Sequence, residues 1–586
     1  MRRFSEKAAK IGFSSIALAL TLFLGAEFSP AIFRALTGAV RSLLAPAVAA
    51  ESDPREERDE DEPDPAAVAI GERLFLETRF AQFFFANSKG DANAVLEKGD
   101  PIMDMTLTPS GTFYGPFSGA SMNCRSCHLV DEHQDTDGGG MRTYADFARR
   151  SPVPLRGDGR VVTPRNSQPL VNAFLNSKSQ NFLLHFDSEF TTVDELVRAT
   201  MLGRNFGWLQ SEQDRAVAHI ATIIRKDDGR GELAQRVGGA YRVVLKGTDP
   251  EIPSGLRLPK RFLLDVERAT DSQIVDNIAS LMTEYLRQLI FQRDRRGLFS
   301  GSPYDEFLRK NQLPRAPDRG ESDLQYSRRL AQLIDGLKRP QLVSGNFKLH
   351  DQPFLFGALE LEGLKIFLRE PTQLPLSPFT ITRGAIGNCV ACHPAPKFTD
   401  FGFHNTGAAQ DEYDAIHGAG AFNNIPIPDF AVRRSNYDAF LPPTAAHPNA
   451  SGPFIDVPAK AKPGHTDLGT WNVFANPDMP RPQERIRRML CAQFKSGDCS
   501  ESALLPLTIA TFKTPGLRDL VDSAPYLHTG RANDLEAVIN FYAKFSTLAR
   551  VGTMRNGDPQ IRGIALKAAD TAALVAFLKS LTEDYN

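Results

Sequence analysis

The stretch SMNCRSCHLV, Ser121 to Val130, holds Cys124, Cys127 and His128 in the order Cys-x-x-Cys-His, and NCVACHPAPK, Asn388 to Lys397, repeats it with Cys389, Cys392 and His393. Four of the six cysteines lie in these two pentads, and the other two, Cys491 and Cys499, flank the short run AQFKSGD. A lone Cys-x-x-Cys serves as a redox dithiol or as half of a zinc site. A dithiol has no use for the adjacent histidine. Zinc needs further thiolate or imidazole at ligand spacing, which this sequence does not offer beside either pentad.

Covalent haem accounts for all three residues. Thiols at i and i+3 lie on one side of a helical turn, where they can add to the two vinyl groups of a porphyrin, and the next residue presents its imidazole to the iron. Both pentads therefore predict c-type haem, with His128 and His393 as proximal ligands. The N-terminus agrees with the compartment in which such attachment occurs. MRRFSEKAAK is cationic and is followed by an apolar run too short for a membrane span, and a second apolar stretch ends in small residues near Ala49 and Ala50. Residues 1–50 are read as an export signal, with an uncleaved anchor as the alternative, and the protein is expected in the periplasm or outside the cell; membrane contact is expected only through an uncleaved segment. Residues 51–66, acidic and proline-containing, are expected to be a disordered linker. In an oxidising compartment Cys491 and Cys499 are expected to pair as a disulfide. A net charge of -2 leaves no basic surface for nucleic acid.

The surroundings of the two pentads also match. IGERLFLETRF before the first is echoed by EGLKIFLRE before the second, and TPRNSQPLVNA with LLHFDSEFTTVDELV is echoed by TPGLRDLVDSAPYLHTGRANDLEAVINFY. That overlay sets Phe186 on His528 and Val193 on Leu535. It predicts a mainly α fold of two cytochrome c-like haem domains related by internal duplication, residues 67–345 and 346–586, with long loop insertions. Helical stripes run through IVDNIASLMTEYLRQLIF and through DTAALVAFLKSL, where Asp570 is expected at the N-cap. Residues 408–506, rich in Pro, Gly and Asn, are expected to be a surface insertion.

The chain resembles the bacterial di-haem cytochrome c peroxidases and the related MauG enzymes. The resemblance is carried by GERLFLETRF, CRSCH, TPRNSQPLVNA, SPYDEFL, CVACH, FTDFGFHNTG, DLGTWNV, FKTPGLRDL and APYLHTG, in the family's order. It implies hydrogen peroxide reduction at the first haem, with electrons relayed through the second from a small donor protein such as a cytochrome c or cupredoxin. It implies a far ligand for the second haem at Tyr542, the alternative being a packing tyrosine, and a calcium site at the carbonyls of Ser523 and Pro525 with Asn172. His404 and His528 are expected to pack or hydrogen-bond, and Trp208 and Trp471 to be core.

Departures from the family's pattern bear on the reaction. Where the family has a Trp between the haems, and a Gln and a Glu that hold and protonate peroxide, this chain has Phe186, Leu196 and Phe206. A positioned general acid is worth ~100- to 10,000-fold in rate. The apolar set therefore keeps two alternatives open: an oxygenase using dioxygen on an apolar substrate, and an electron-transfer cytochrome without catalysis. The far side of the first haem offers only His133, in a polar glycine-rich stretch, so an open position is expected there.

Overall fold

Several helices begin at residues whose side chains cap them. In the computed structural model, which describes residues 65–96, 105–108, 111–114, 122–124, 127–128 and 150–583 apart from 152, 176–177, 349–351 and 522, the fold is mainly helical. The expected export signal, most of the acidic linker and His133 lie outside these residues. Pro65 is an N-cap, so Ala66, expected in the linker, is already helical. No helix among the described residues is long and apolar enough to cross a membrane. The described residues all fall in one unit, Glu60–Asn586.

Six helices position the pentads: α1 (Ala66–Phe75), α2 (Val193–Met201), α3 (Asp271–Gln288), α4 (Ala358–Leu368), α5 (Leu535–Arg550) and α6 (Ala568–Lys579). Thr192 caps α2 by accepting from the Glu195 N–H, and Asp534 caps α5 by accepting from Ala537. Thr270 and Gln273 cap α3 reciprocally. The N-cap of α6 is Lys567, three residues before the expected Asp570. The Asp570 carboxylate reaches back to the Lys567 N–H and also accepts from Ala385, 2.7 Å away, which ties α6 to the chain just before the second pentad.

The same crossing is built twice. α1 packs on α3 and α4 packs on α6. At the first crossing a Cβ on Gly71 would overlap the Leu281 carbonyl oxygen, and at the second a Cβ on Gly363 would overlap that of Ala573. Aromatic pairs lie one turn further on: Phe75 meets Tyr285 with centroids 5.2 Å apart, and Phe367 meets Phe577 at 5.1 Å. Absence of a side chain at each glycine lets the backbones approach closely enough for these rings to meet. α2 packs on α3 and α5 on α6, so each crossing carries a third helix.

Apolar residues gather into separate cores. One contains Ile70, Phe75, Ile220, Leu281 and Tyr285; another contains Tyr304, Phe307, Phe356, Phe367 and Phe577. A buried ion pair stands beside the second: Arg518 meets Asp305 through two 2.9 Å bonds, both side chains 2% exposed, with its guanidinium 4.0 Å from the Phe299 ring centroid.

Residues 408–506 differ from the expected surface insertion. They hold helices at Ala408–His417 and Gln483–Gln493 and close around their own core, in which Phe422, Leu468, Trp471, Ile486 and Leu490 are fully buried. The Pro and Gly content marks turns between these apolar positions. Arg433 lies over the Trp471 ring and donates to the carbonyls of Phe474 and Ala475, satisfying backbone groups that a loop would leave to water. Cys491 and Cys499 are disulfide-bonded with Cα atoms 5.5 Å apart. Trp208, likewise buried, donates from Nε1 to the Phe80 carbonyl at 3.1 Å.

Replacing Gly363 by Ala should lower stability by ~1–3 kcal/mol, the usual range for overpacking a tight contact. Gly497→Ala, where a Cβ meets nothing within 4 Å, should not. Thermal denaturation of both holoproteins compares them.

Candidate functional site

Each pentad hangs from the end of its glycine-crossed helix. Asn123 donates to the Leu76 carbonyl at the end of α1, 2.9 Å away. Beyond α4, Gly387 N–H donates to Ile366 and Asn388 N–H to Arg369. The pentads then turn alike: the amides of Cys127 and His128 donate to the Cys124 carbonyl, and those of Cys392 and His393 to the Cys389 carbonyl.

Both histidines are oriented through Nδ1. His128 donates to the Gln168 carbonyl at 2.9 Å and His393 to the Phe398 carbonyl at 2.9 Å. A carbonyl can only accept, so Nδ1 carries the proton and Nε2 is the nitrogen left for iron. Burial pushes His128 down to about 4, against the Gln168 bond, and pushes His393 down as well, so both rings are neutral, the form that ligates metal. Burial holds Cys124 up at about 12, Cys127 at about 11 and Cys389 at about 12, which keeps them as thiols. Two closely set thiols and a neutral imidazole with a committed Nδ1 fit haem at both pentads.

A cavity of about 430 Å³ opens beside the first pentad, lined by Cys124, Cys127 and His128. Phe186, Leu196 and Phe206 all line it, with Phe206 3% exposed. The structure also brings polar groups there that sequence reading passed over: His185, Glu189, Lys513 and Asn205. His185 Nδ1 lies 3.4 Å from Glu189 Oε2. They escape notice in the sequence because a positive φ at His185 and at Ser188 folds this segment into a turn, which no periodicity announces.

That turn has a counterpart. Leu184 bridges Phe190 across it, and Tyr526 bridges Ala532 across a turn with positive φ at Leu527 and Gly530. Phe186 and His528, superimposed in the sequence overlay, meet edge to face with centroids 6.2 Å apart, and His528 stacks on Phe512 at 3.6 Å. Around them Arg165 binds Asp467 and Asp187, and Arg150 binds Glu412 through two 2.8 Å bonds. The residues expected around calcium have protein partners here. Asn172 turns toward the backbone of Leu289 and Phe291, and the residue that donates to the Pro525 carbonyl is Asn166, while the Ser523 hydroxyl donates to the Asp519 carbonyl. A left-handed backbone at Asn172 redirects its side chain.

At the second pentad Tyr542 projects from α5 into a cluster with Leu527, Phe541, Phe545 and Met554. Burial, with the Cys392 and Cys389 sulfurs, pushes its phenol pKa up. His404 is held from both sides, Nδ1 donating to Asp558 at 2.6 Å and Nε2 to Asp400 at 2.9 Å. Burial opposes its charge, but Cys392, Asp400 and Asp558 together hold its pKa well above the ordinary value. No ring nitrogen of His404 is left for a metal.

No family model matches the chain. A curated protein, cytochrome-c peroxidase IdrP2 of Denitromonas iodatirespirans, is 24% identical over 197 residues, covering 33% of this chain and 36% of that protein. The match thus spans about a third of that relative's length. The likeness is to the di-haem cytochrome c peroxidase and MauG family. Among solved structures, the diheme peroxidase BthA from Burkholderia thailandensis is 17% identical at a TM-score of 0.40, covering 89% of this chain and 88% of that one. A MauG-like protein associated with microbial copper homeostasis is 14% identical at a TM-score of 0.39, covering 92% and 95%.

His528 carries a pH dependence. Burial, opposed by Asp467, pushes it down to about 3 from 6.5, and its Nε2 has no partner. A depressed folded pKa contributes stability above the unfolded value, which is lost as pH falls from about 6.5 toward 3. His528→Phe should flatten the fall in melting temperature across that window.

Proposed function

We propose that the chain is an exported di-haem c-type cytochrome, built by internal duplication, that reduces hydrogen peroxide to water at the first pentad's haem. Electrons reach it through the second pentad's haem from a small donor protein. The observation that carries this reading is the repeated pentad geometry: neutral histidines, each with Nδ1 committed to a carbonyl, beside paired thiols. The glycine crossings and the matched turns support the duplication. Bound haem supplies the iron that exchanges electrons with peroxide; the chain's part is to hold it, exclude competing ligands and deliver protons. Reduction of one peroxide to two waters takes up two electrons and two protons. Leu196 and Phe206 cannot deliver those protons, whereas His185 and Glu189 line the same cavity. In this reading His185 is the proton carrier and Glu189 orients it.

The apolar wall formed by Phe186, Leu196 and Phe206 favours a second reading, an oxygenase acting on an apolar substrate. Purified holoprotein separates the two. Peroxide consumption with a reduced cytochrome c or cupredoxin supports the peroxidase. Dioxygen consumption with an apolar substrate and none of peroxide supports the oxygenase, and inertness to both leaves an electron carrier. A mature mass without two haem adducts overturns all three.

Two substitutions refine the assignment. His185→Gln should lower peroxide turnover ~100- to 10,000-fold, the range for loss of a positioned acid, with both haems retained. Tyr542→Phe should raise the second haem's reduction potential, because an anionic oxygen ligand stabilises ferric iron. Met554→Leu, which alters the other donor in the same cluster, should not; spectroelectrochemical titration reads both.

A further inference from the structure

Four cations that are at least partly buried line the cavity beside His128: Arg165, Lys397, Lys513 and Arg518. Three of them meet carboxylates, Lys397 donating to Asp323 at 2.9 Å. Arg165 gives Nε and Nη2 to Asp467 and Nη1 to Asp187. Arg518 gives both terminal nitrogens to Asp305 and Nε to the Pro396 carbonyl. Lys513 is different. Its ammonium donates to the Leu183 carbonyl at 2.8 Å, and among the described residues no carboxylate lies at ion-pair distance from it. Asp187 is near enough to be felt, but it is bound to Arg165.

The position of Lys513 is built rather than incidental. It lies on the two-residue strand Phe512–Lys513, which pairs with Phe403–His404, and its N–H donates to the Phe186 carbonyl at 2.7 Å. Backbone from both sides of the cavity therefore aims one ammonium, with two uncommitted donors, at the space beside the first pentad. Burial without a counter-ion disfavours the charge, and Lys513 is pushed down to about 8. Such a group is stabilised by a ligand that brings negative charge and acceptor oxygens.

We propose that Lys513 anchors a carboxylate of the porphyrin attached at Cys124 and Cys127. This rests on the haem reading of the first pentad, and it assigns a cofactor-binding residue outside both pentads. A fixed positive charge beside the porphyrin favours the extra electron of the reduced state, so Lys513 also helps set how readily the first haem is reduced.

The test uses the di-haem holoprotein with Lys513→Met and Lys513→Arg. Lys513→Met should lower the first haem's midpoint potential while the second haem's stays in place, and Lys513→Arg should restore most of the difference. In resonance Raman spectra the propionate bending band of the first haem should shift in both variants. Lys513→Arg keeps the charge, so this readout survives if the Met variant does not mature. Unshifted bands and potentials in variants carrying both haems overturn the proposal. A wild-type potential that tracks added acetate or chloride also overturns it, assigning Lys513 to an exchangeable anion. Wild-type protein lacking haem at Cys124 and Cys127 instead overturns the functional reading on which this one rests.

Discussion

Two helix crossings made at glycine determine where the chemistry can sit. At Gly71 and Gly363 the opposing carbonyl occupies the space a side chain would need. That contact sets the spacing of each helix pair, and the helix ends then carry the pentads: Leu76 receives Asn123, and Ile366 and Arg369 receive Gly387 and Asn388. A displaced crossing would move thiols and imidazole together relative to the rest of the cavity wall. Close packing transmits such shifts because interiors contain few voids to absorb them.

Electrostatics act at a second level. The seam beside the first pentad buries several opposite charges: Arg165 with Asp187 and Asp467, Arg150 with Glu412, and Arg518 with Asp305. Removing one partner of a fully buried pair typically costs ~3–5 kcal/mol, since the other is left uncompensated. These pairs hold together segments distant in sequence, and among the described cations lining the cavity they leave Lys513 without a carboxylate at ion-pair distance.

The likeness to the peroxidase and MauG family lies in motif order, and the pocket is where this chain departs from that pattern. Phe186, Leu196 and Phe206 line the cavity as the motif alignment places them, and all three are apolar. Polar groups enter from the turn at His185 to Glu189 instead. The cavity therefore combines a largely apolar wall with a few polar groups beside the first pentad.

Residue order alone was sufficient for the pentads and for the helical stripes, because each rests on spacing within a few turns of chain. Thiols at i and i+3, an apolar stripe at helical period and a capping residue are local facts. Only tertiary structure decided that residues 408–506 enclose a core around Trp471, that Asn166 meets Pro525 while Asn172 turns away, and that Lys513 faces the first pentad. In each of these the partners lie far apart in sequence, or a left-handed backbone at a single residue turns a side chain. Neither circumstance leaves a periodic trace in the order of amino acids.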